Sequence, residues 1–226
     1  MRFGVVRFPG SCDEVDALMA CRRFGDAEIL WHGDRNLGGV DVVVIPGGFS
    51  YGDYLRVGAI ARFSPVMEAV KEHALAGAPV LGICNGFQVL CEAGLLPGAL
   101  LPNDGLRFLC RQADVEVVNP DSPFTRACAT GDSLSIPVKH TTGRYYAPEE
   151  ALREMDAHGQ IILRYAEGRN PNGSLADIAG VANHERNVMG LMPHPEHAVD
   201  ALTGSADGSC IFRSLVVHVE EGSSRL

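Results

Sequence analysis

The run Val42–Ile45 is the sequence feature that most restricts which fold this chain can adopt. Its four residues are all β-branched, and no polar residue stands between them. Pro46, Gly47 and Gly48 end the run. A strand without polar alternation is typical of a parallel sheet that is covered on both faces. Similar short apolar runs alternate with helical patterns through the first half of the chain, with strands predicted at 3–8, 27–31 and 79–83 and helices at 65–76 and 85–92.

This alternation predicts an α/β fold with a doubly wound, mostly parallel sheet flanked by helices, of the flavodoxin-like kind. Ser11 and Asp13 are candidate N-caps for a helix after the first strand. Neither a linker nor an internal repeat divides the sequence, so residues 1–226 are predicted to form a single domain. The second half is predicted to hold strands at 115–118, 135–138, 161–165, 178–182 and 187–192 and a closing helix at 209–219.

Charge and cysteine content limit the classes of partner. The formal net charge of −9 repels phosphate backbones and anionic lipids, so we expect no nucleic acid and no membrane partner. The seven cysteines are odd in number and form no C-x-x-C pair, which argues against a disulfide framework and a structural zinc site. Free thiols favour a reducing compartment, and no apolar leader or spanning segment is visible, so we expect a cytoplasmic protein.

A candidate nucleophile stands at Cys84, between a predicted strand and a predicted helix. Gly82 and Gly86 flank it in a G-x-Cys-x-G pattern, which is typical of a sharp strand-to-helix turn that exposes a nucleophile at the sheet edge. The following helix begins at the thiol, and its dipole favours the reactive thiolate. The alternative is a packed cysteine at a tight turn, since free cysteines are commonly buried; the turn favours the nucleophile.

A candidate base and its partner lie in the segment 193–196. Proline restricts the residue before it to extended conformations, and residues two apart in an extended chain share a face. His194 and Glu196 are therefore predicted to point the same way, as a base and the carboxylate that orients it. The alternatives are an ordinary proline-rich loop or a metal site that includes His197; because no H-E-x-x-H spacing is present, we expect no metal.

The Gly47-Gly48 turn follows the strand Val42–Ile45 and is predicted to emerge at the same sheet edge as Cys84. Backbone N–H groups of Gly48 and Asn85 could then form an oxyanion hole. The alternative is an ordinary glycine-rich turn. The turn lacks the G-x-x-x-x-G-K-[ST] pattern of a nucleoside triphosphate loop, and no dinucleotide fingerprint follows the first strand.

Together these segments resemble the class I, or triad-type, glutamine amidotransferases, over most of the chain from residue 5 to about 217. Longer stretches at 46–56, 143–146 and 170–174 resemble the glutaminase subunits of phosphoribosylformylglycinamidine synthase, an enzyme of purine biosynthesis. The resemblance implies hydrolysis of glutamine to glutamate and ammonia through a thioester on Cys84, with His194 and Glu196 completing a triad. It also implies substrate contacts for Gln88, one helical turn after the nucleophile, and for Gly47.

The same resemblance implies partners. The ammonia would pass to a large synthetase subunit that uses ATP and magnesium to convert formylglycinamide ribonucleotide to formylglycinamidine ribonucleotide, and a small subunit would bridge the two. No cofactor is expected in this chain itself. The sequence departs from the family pattern at Thr141 and Thr142, where glycine and glutamate are usual, and at His197, where arginine is common. The first turn, Gly10 to Asp13, also lacks a usual asparagine.

Two alternative functions follow from the same residues. A stand-alone cysteine hydrolase or peptidase would share the nucleophile and base, but it would not need Gln88 or the match at 46–56. A non-catalytic binding module on the same fold would be expected to lose a triad member, whereas Cys84, His194 and Glu196 are all present.

Overall fold

The computed structural model describes residues 1–223, which form five helices and eleven strands in two sheets. The helices are α1 (Glu14–Cys21), α2 (Pro65–Leu75), α3 (Asn85–Glu92), α4 (Glu149–Ala157) and α5 (Ser209–Ser223). The strands are β1 (Arg2–Arg7), β2 (Asp26–Trp31), β3 (Val42–Ile45), β4 (Val80–Ile83), β5 (Ala99–Pro102), β6 (Leu109–Val117), β7 (Ser133–His140), β8 (Thr142–Tyr146), β9 (Ile161–Tyr165), β10 (Ile178–Ala182) and β11 (Val188–Leu191).

The main sheet has nine strands in the order β2-β1-β3-β4-β11-β10-β9-β6-β7. The first five strands in this order are parallel to one another, and from β11 onward each neighbour is antiparallel. Strands β5 and β8 form a separate antiparallel pair. Helix α1 packs on β1 and β2, while α3 packs on β3, β4 and β11. The predicted α/β fold with a mostly parallel, helix-flanked sheet is confirmed, with an antiparallel extension.

The core lies against the central strands. Every residue of β3, β4 and β11 is buried, as the unbroken apolar run Val42–Ile45 predicted. Alternation between buried and partly buried residues appears instead in β7, which lies at the sheet edge and pairs with β6. The antiparallel strand β10 is also buried at every residue, so the centre of the sheet is buried from β3 to β10, and its parallel strands carry the turns that matter for chemistry.

Two expectations need correction. The sequence argued against a disulfide framework, but the structure pairs Cys128 with Cys210, whose Cα atoms lie 6.4 Å apart, and leaves the other five cysteines free. These two residues are 82 positions apart, so no local spacing could reveal their contact. The sequence patterns also did not predict the strands β5 and β8 or the helix α4. Within residues 1–223, the helices are too short or too polar to cross a membrane.

Candidate active site

Cys84 occupies a strained turn between β4 and α3. Its backbone adopts φ 50° and ψ −103°, a conformation that L-residues rarely take. The flanking glycines are required by space, because a side chain at Gly86 would collide with the carbonyl oxygen of Ile45 and one at Gly82 with Leu90. The predicted sharp turn is confirmed, and it holds the thiol beside the first turn of α3.

His194 reaches the same edge from the neighbouring strand. β11 runs parallel to β4, with Leu191 paired to Ile83, so both chains leave the sheet side by side. The backbone N–H of His194 donates to the carbonyl of Pro137 at 2.8 Å, which anchors the segment to β7. The distant parts of the sequence that hold the nucleophile and base therefore meet because their strands are adjacent.

Glu196 completes a buried pair with His194. The imidazole Nδ1 and the carboxylate Oε1 lie 2.6 Å apart, and both side chains are fully buried. Residues Pro195–His197 form a 3₁₀ turn, so the predicted extended conformation is wrong, although the two side chains do meet as predicted. A hydrogen bond at Nδ1 fixes the tautomer and leaves Nε2 to exchange protons with a nucleophile.

The thiol and the imidazole are coupled. Burial would lower the pKa of His194, but the charge and the hydrogen bond of the Glu196 carboxylate, together with the charge of the Cys84 sulfur, raise it above its ordinary value. Among the described residues, Nε2 has no hydrogen-bond partner, and the Cys84 sulfur lies 3.8 Å from the carbonyl oxygen of Lys139. Transfer of the thiol proton to this free Nε2 would form a thiolate–imidazolium pair, which a low-dielectric site favours because it strengthens the attraction between the two charges.

A cavity opens in front of the thiol; Gly48 lines it and Asn85 directly follows Cys84, while the oxyanion hole formed by their N–H groups stays a prediction. Gly48 sits opposite Ser11 in an antiparallel bridge whose hydrogen bonds are made by its neighbours, Phe49 N–H to Gly10 and Cys12 N–H to the carbonyl of Gly47. Asn85 is the first residue of α3, where the N–H has no partner within the helix. The cavity is lined by Cys12, Asp13, Gly48, Phe49, Asp53, Val57, Cys84, Gln88, Phe108, Lys139, His140, Thr141 and Thr142.

Gln88 lies in the wall of this cavity, as its spacing from Cys84 predicted. Its carbonyl oxygen accepts from the Asn85 side chain at 2.8 Å, and its amide donates to the carbonyl of Thr142 at 2.6 Å. Gly47 lies behind the cavity, where a side chain would meet His194 Cε1 at 2.7 Å. The substrate contacts of Gln88 and Gly47 stay predictions.

Comparisons with known proteins agree with this geometry. The model of the CobB/CobQ-like glutamine amidotransferase domain matches residues 1–209. Proteins named phosphoribosylformylglycinamidine synthase subunit PurQ from Frankia casuarinae and Rubrobacter xylanophilus are each 57% identical to this chain, over 95% and 96% of it and 93% and 98% of their own lengths. This chain belongs to the PurQ family of glutamine amidotransferases.

Solved structures extend the likeness to the fold. A chain in the structure of PurLQS from Thermotoga maritima aligns with a TM-score of 0.89 and 41% identity, covering 96% of this chain and 98% of its own. Another glutamine amidotransferase from Thermotoga maritima aligns with a TM-score of 0.58 at 17% identity, covering 99% of this chain and 85% of its own, which shows a shared fold alone.

Sequence reasoning missed polar residues of the PurQ-family site. Asp13 stands at the N-cap of α1 as predicted but makes no side-chain capping hydrogen bond; its carboxylate contacts Lys139 and His197 instead. Lys139 enters from the far strand β7, which no local motif marks. Asp13 could have been found, since it follows the carboxyl end of β1 and such ends share one sheet edge.

Asp13, His194, Glu196 and His197 place possible metal-binding atoms within 4.8 Å of one another. We interpret them as a hydrogen-bonded network. His194 Nδ1 is already engaged by Glu196, and Oδ1 of Asp13 already binds the Lys139 ammonium. The absence of a metal stays a prediction, and the roles of these groups are best understood from their hydrogen bonds.

Proposed function

We propose that this chain is the glutaminase subunit of a phosphoribosylformylglycinamidine synthase and hydrolyses glutamine to glutamate and ammonia. The observation that carries the proposal is the buried pair of His194 and Glu196 at 2.6 Å, coupled to the thiol of Cys84 at the strained turn. Membership of the PurQ family, with relatives that match over nearly their whole length, supports the same substrate.

The first half of the reaction forms a thioester. The Cys84 thiol gives its proton to His194, and the sulfur attacks the side-chain amide carbon of glutamine. Negative charge develops on the amide oxygen, where the N–H groups of Gly48 and Asn85 stabilise it. His194 then returns the proton to the amide nitrogen, and ammonia leaves as the carbon–nitrogen bond breaks.

The second half consumes water. His194 takes a proton from a water molecule, whose oxygen attacks the thioester carbon, and the oxyanion forms again at the same N–H groups. Collapse of this intermediate breaks the carbon–sulfur bond, releases glutamate and restores the thiol with the proton held by His194. Glu196 stabilises the imidazolium in both halves, because its carboxylate lies beside Nδ1 throughout.

The proposed partners are a large synthetase subunit that uses ATP and magnesium and a small bridging subunit. The synthetase would use the ammonia to convert formylglycinamide ribonucleotide to formylglycinamidine ribonucleotide, in the cytoplasm. The Thermotoga maritima neighbour, described as PurLQS, supports an assembly of this kind. We assign no cofactor to this chain, because the steps above use side chains, backbone N–H groups and water.

Cys84→Ala tests the proposal in the complex with the synthetase. We expect glutamine-dependent synthesis to fall by about 10³-fold or more while synthesis from added ammonia stays at the parent rate, since only the nucleophile is lost. Cys110→Ala is the matched control, because Cys110 is an exposed free cysteine outside the cavity. Loss of both activities, or retention of both, contradicts the proposal.

Ester and peptide substrates distinguish a stand-alone hydrolase from a glutaminase. Faster turnover of these substrates than of glutamine would favour the hydrolase. A binding module predicts that a glutamine-like electrophile leaves Cys84 unlabelled, whereas the proposed mechanism predicts one label, on the sulfur.

A further inference from the structure

Asp13 carries a buried charge that the mechanism above does not use. The residue is 4% exposed, and its Oδ2 lies 3.8 Å from Nδ1 of His194. Its Oδ1 contacts the Lys139 ammonium and lies 3.4 Å from Nε2 of His197. Burying a charged carboxylate costs free energy unless the charge is paired. Three side chains that can carry positive charge surround the Asp13 carboxylate, so the site invests in keeping it charged.

The pairing keeps Asp13 ionised. Burial would raise the pKa of its carboxyl group, but the hydrogen bonds from His197 and Lys139 and the nearby charge on His194 lower it far below the ordinary range. Asp13 is therefore an anion wherever the enzyme is folded and the pH is near neutral.

The absence of a side chain at Gly47 leaves space for the close approach of Asp13 to His194. A side chain at Gly47 would collide with Oδ2 of Asp13 and lie 2.7 Å from Cε1 of His194, so glycine at this position lets the carboxylate and the ring come together. The backbone adds a second restraint, because the N–H of Asp13 donates to the carbonyl of Gly47 at 3.4 Å.

The two carboxylates beside His194 act differently. Nδ1 carries one proton, and Glu196 at 2.6 Å takes the hydrogen bond, whereas Asp13 at 3.8 Å is beyond hydrogen-bond distance. Charge attraction falls off more slowly with distance than a hydrogen bond does, so Asp13 still favours a positive ring.

We propose that Asp13 is a positioning residue of the glutaminase reaction, a second carboxylate that stabilises the imidazolium of His194 through space while Cys84 is a thiolate. Lys139 and His197 hold this carboxylate in place. The inference rests on the proposed function and deepens it, because it assigns the base an electrostatic support beyond the triad.

The surroundings of His194 favour this assignment. The Lys139 ammonium interacts favourably with negative charge on Cys84. In the Asp13–Lys139 ion pair, the carboxylate therefore favours a positive imidazole and the ammonium favours the thiolate. His140 is kept neutral, because burial and the charge on His194 lower its pKa to about 4. The titratable groups that face His194 are Cys84, Asp13, Lys139, His140, Glu196 and His197.

Asp13→Asn tests the charge at constant shape. Iodoacetamide forms a carbon–sulfur bond with a thiolate and releases iodide, so its rate at Cys84, resolved by peptide mass spectrometry, reports the thiolate population. Without the carboxylate the imidazolium is less stable, and fewer molecules hold the thiolate at neutral pH. We expect alkylation about tenfold slower at about pH 7 and equal to the parent rate above about pH 10, where the thiol ionises unaided.

Glu14→Gln is the matched control on the same helix. Glu14 is 6% exposed and pairs with Arg7 at 3.1 Å, so it offers the same loss of charge in a buried acid outside the site, and its profile should match the parent. A parent-like rate for Asp13→Asn at pH 7 overturns the proposal. An equal slowing at every pH also overturns it, because that would indicate a structural role alone.

Asp13→Ser keeps the proposal testable if Asp13→Asn does not fold, because it removes the same charge with a smaller neutral side chain. The same slowing at about pH 7 and recovery at about pH 10 are expected, and an unchanged profile overturns the proposal. Alkylation needs neither glutamine nor the synthetase. Absence of ammonia release from glutamine by the parent complex would therefore overturn the proposed function while leaving the alkylation result to decide the role of Asp13.

Discussion

Replacing Gly47 by alanine tests how closely the base must be held. Alanine is compatible with the local backbone, because Gly47 does not adopt a positive φ. The added methyl carbon would lie 2.7 Å from Cε1 of His194, whereas ordinary contacts of this kind begin at 3.4 Å. The ring must therefore retreat by about 0.7 Å or more, and the Asp13 carboxylate on the other side must also yield.

The expected loss follows from this displacement. A misplacement of about 1 Å in a catalytic group costs about 10²-fold in rate, which corresponds to about 2.7 kcal/mol of transition-state stabilisation. Gly47 does not line the cavity, so we expect the added methyl group to act on the base rather than on bound glutamine; a large rise in KM would instead support the substrate contact predicted for Gly47. We therefore expect kcat for glutamine to fall about 100-fold with KM within about twofold of the parent.

The assay is glutamate release by the chain in complex with its synthetase, with ammonia-dependent synthesis measured alongside. Gly222→Ala is the matched control, because an added side chain there meets nothing within 4 Å. Parent-like kcat in Gly47→Ala would refute the reasoning. A fall in ammonia-dependent synthesis of the same size would also refute it, because that would place the damage outside the glutaminase site.

Two further predictions concern stability. Burial raises the pKa of Asp53 to about 6, above the unfolded value of about 3.9. Ionised Asp53 therefore lowers the free energy of unfolding by its full amount above about pH 6, and the effect disappears below about pH 4, where the group is protonated in both states. Asp53→Asn should melt at a higher temperature than the parent at pH 8 and lose this advantage at pH 4; an equal gain at both values contradicts the ionisation argument. Phe87 is fully buried, packs against Gly190 and stacks on Tyr145 at 5.9 Å, so Phe87→Ala should lower the free energy of unfolding in urea by about 3–5 kcal/mol. Phe63→Ala, at a side chain 73% exposed, should change it by about 0.5 kcal/mol or less, and equal losses for both would be inconsistent with the packing described.

The parts of the fold that local pattern decides were predictable. The bounds of Val42–Ile45 and Asn85–Glu92 match the structure, because an unbroken apolar run and a glycine turn each carry a strong local signal. The strand Thr142–Tyr146 was missed, since its partner within residues 1–223 is Ala99–Pro102, which lies about 40 residues earlier in the chain. Strands of this kind depend on packing more than on propensity.

The candidate site divides in the same way. Cys84, His194 and Glu196 were found because each lies in a turn with a recognisable pattern of glycine or proline. Lys139 lies near the end of a strand with no glycine or proline turn to mark it, and Asp13 was interpreted as a helix cap, because a lone aspartate before a helix is typical of one. Only the three-dimensional structure shows that these two residues meet at the base.

Cys84 and His194 follow two adjacent parallel strands at the centre of the sheet, Val80–Ile83 and Val188–Leu191. Their spacing is thus set by main-chain hydrogen bonds between these strands and by the bond from the His194 N–H to the carbonyl of Pro137, which lies in the excursion of residues 93–187. The same excursion supplies the other wall of the cavity, at Thr141 and Thr142. Evolution or an engineer could therefore reshape which side chain fits the cavity by changing the excursion at Thr141 and Thr142, while the anchor at Pro137 keeps the bond-breaking geometry intact.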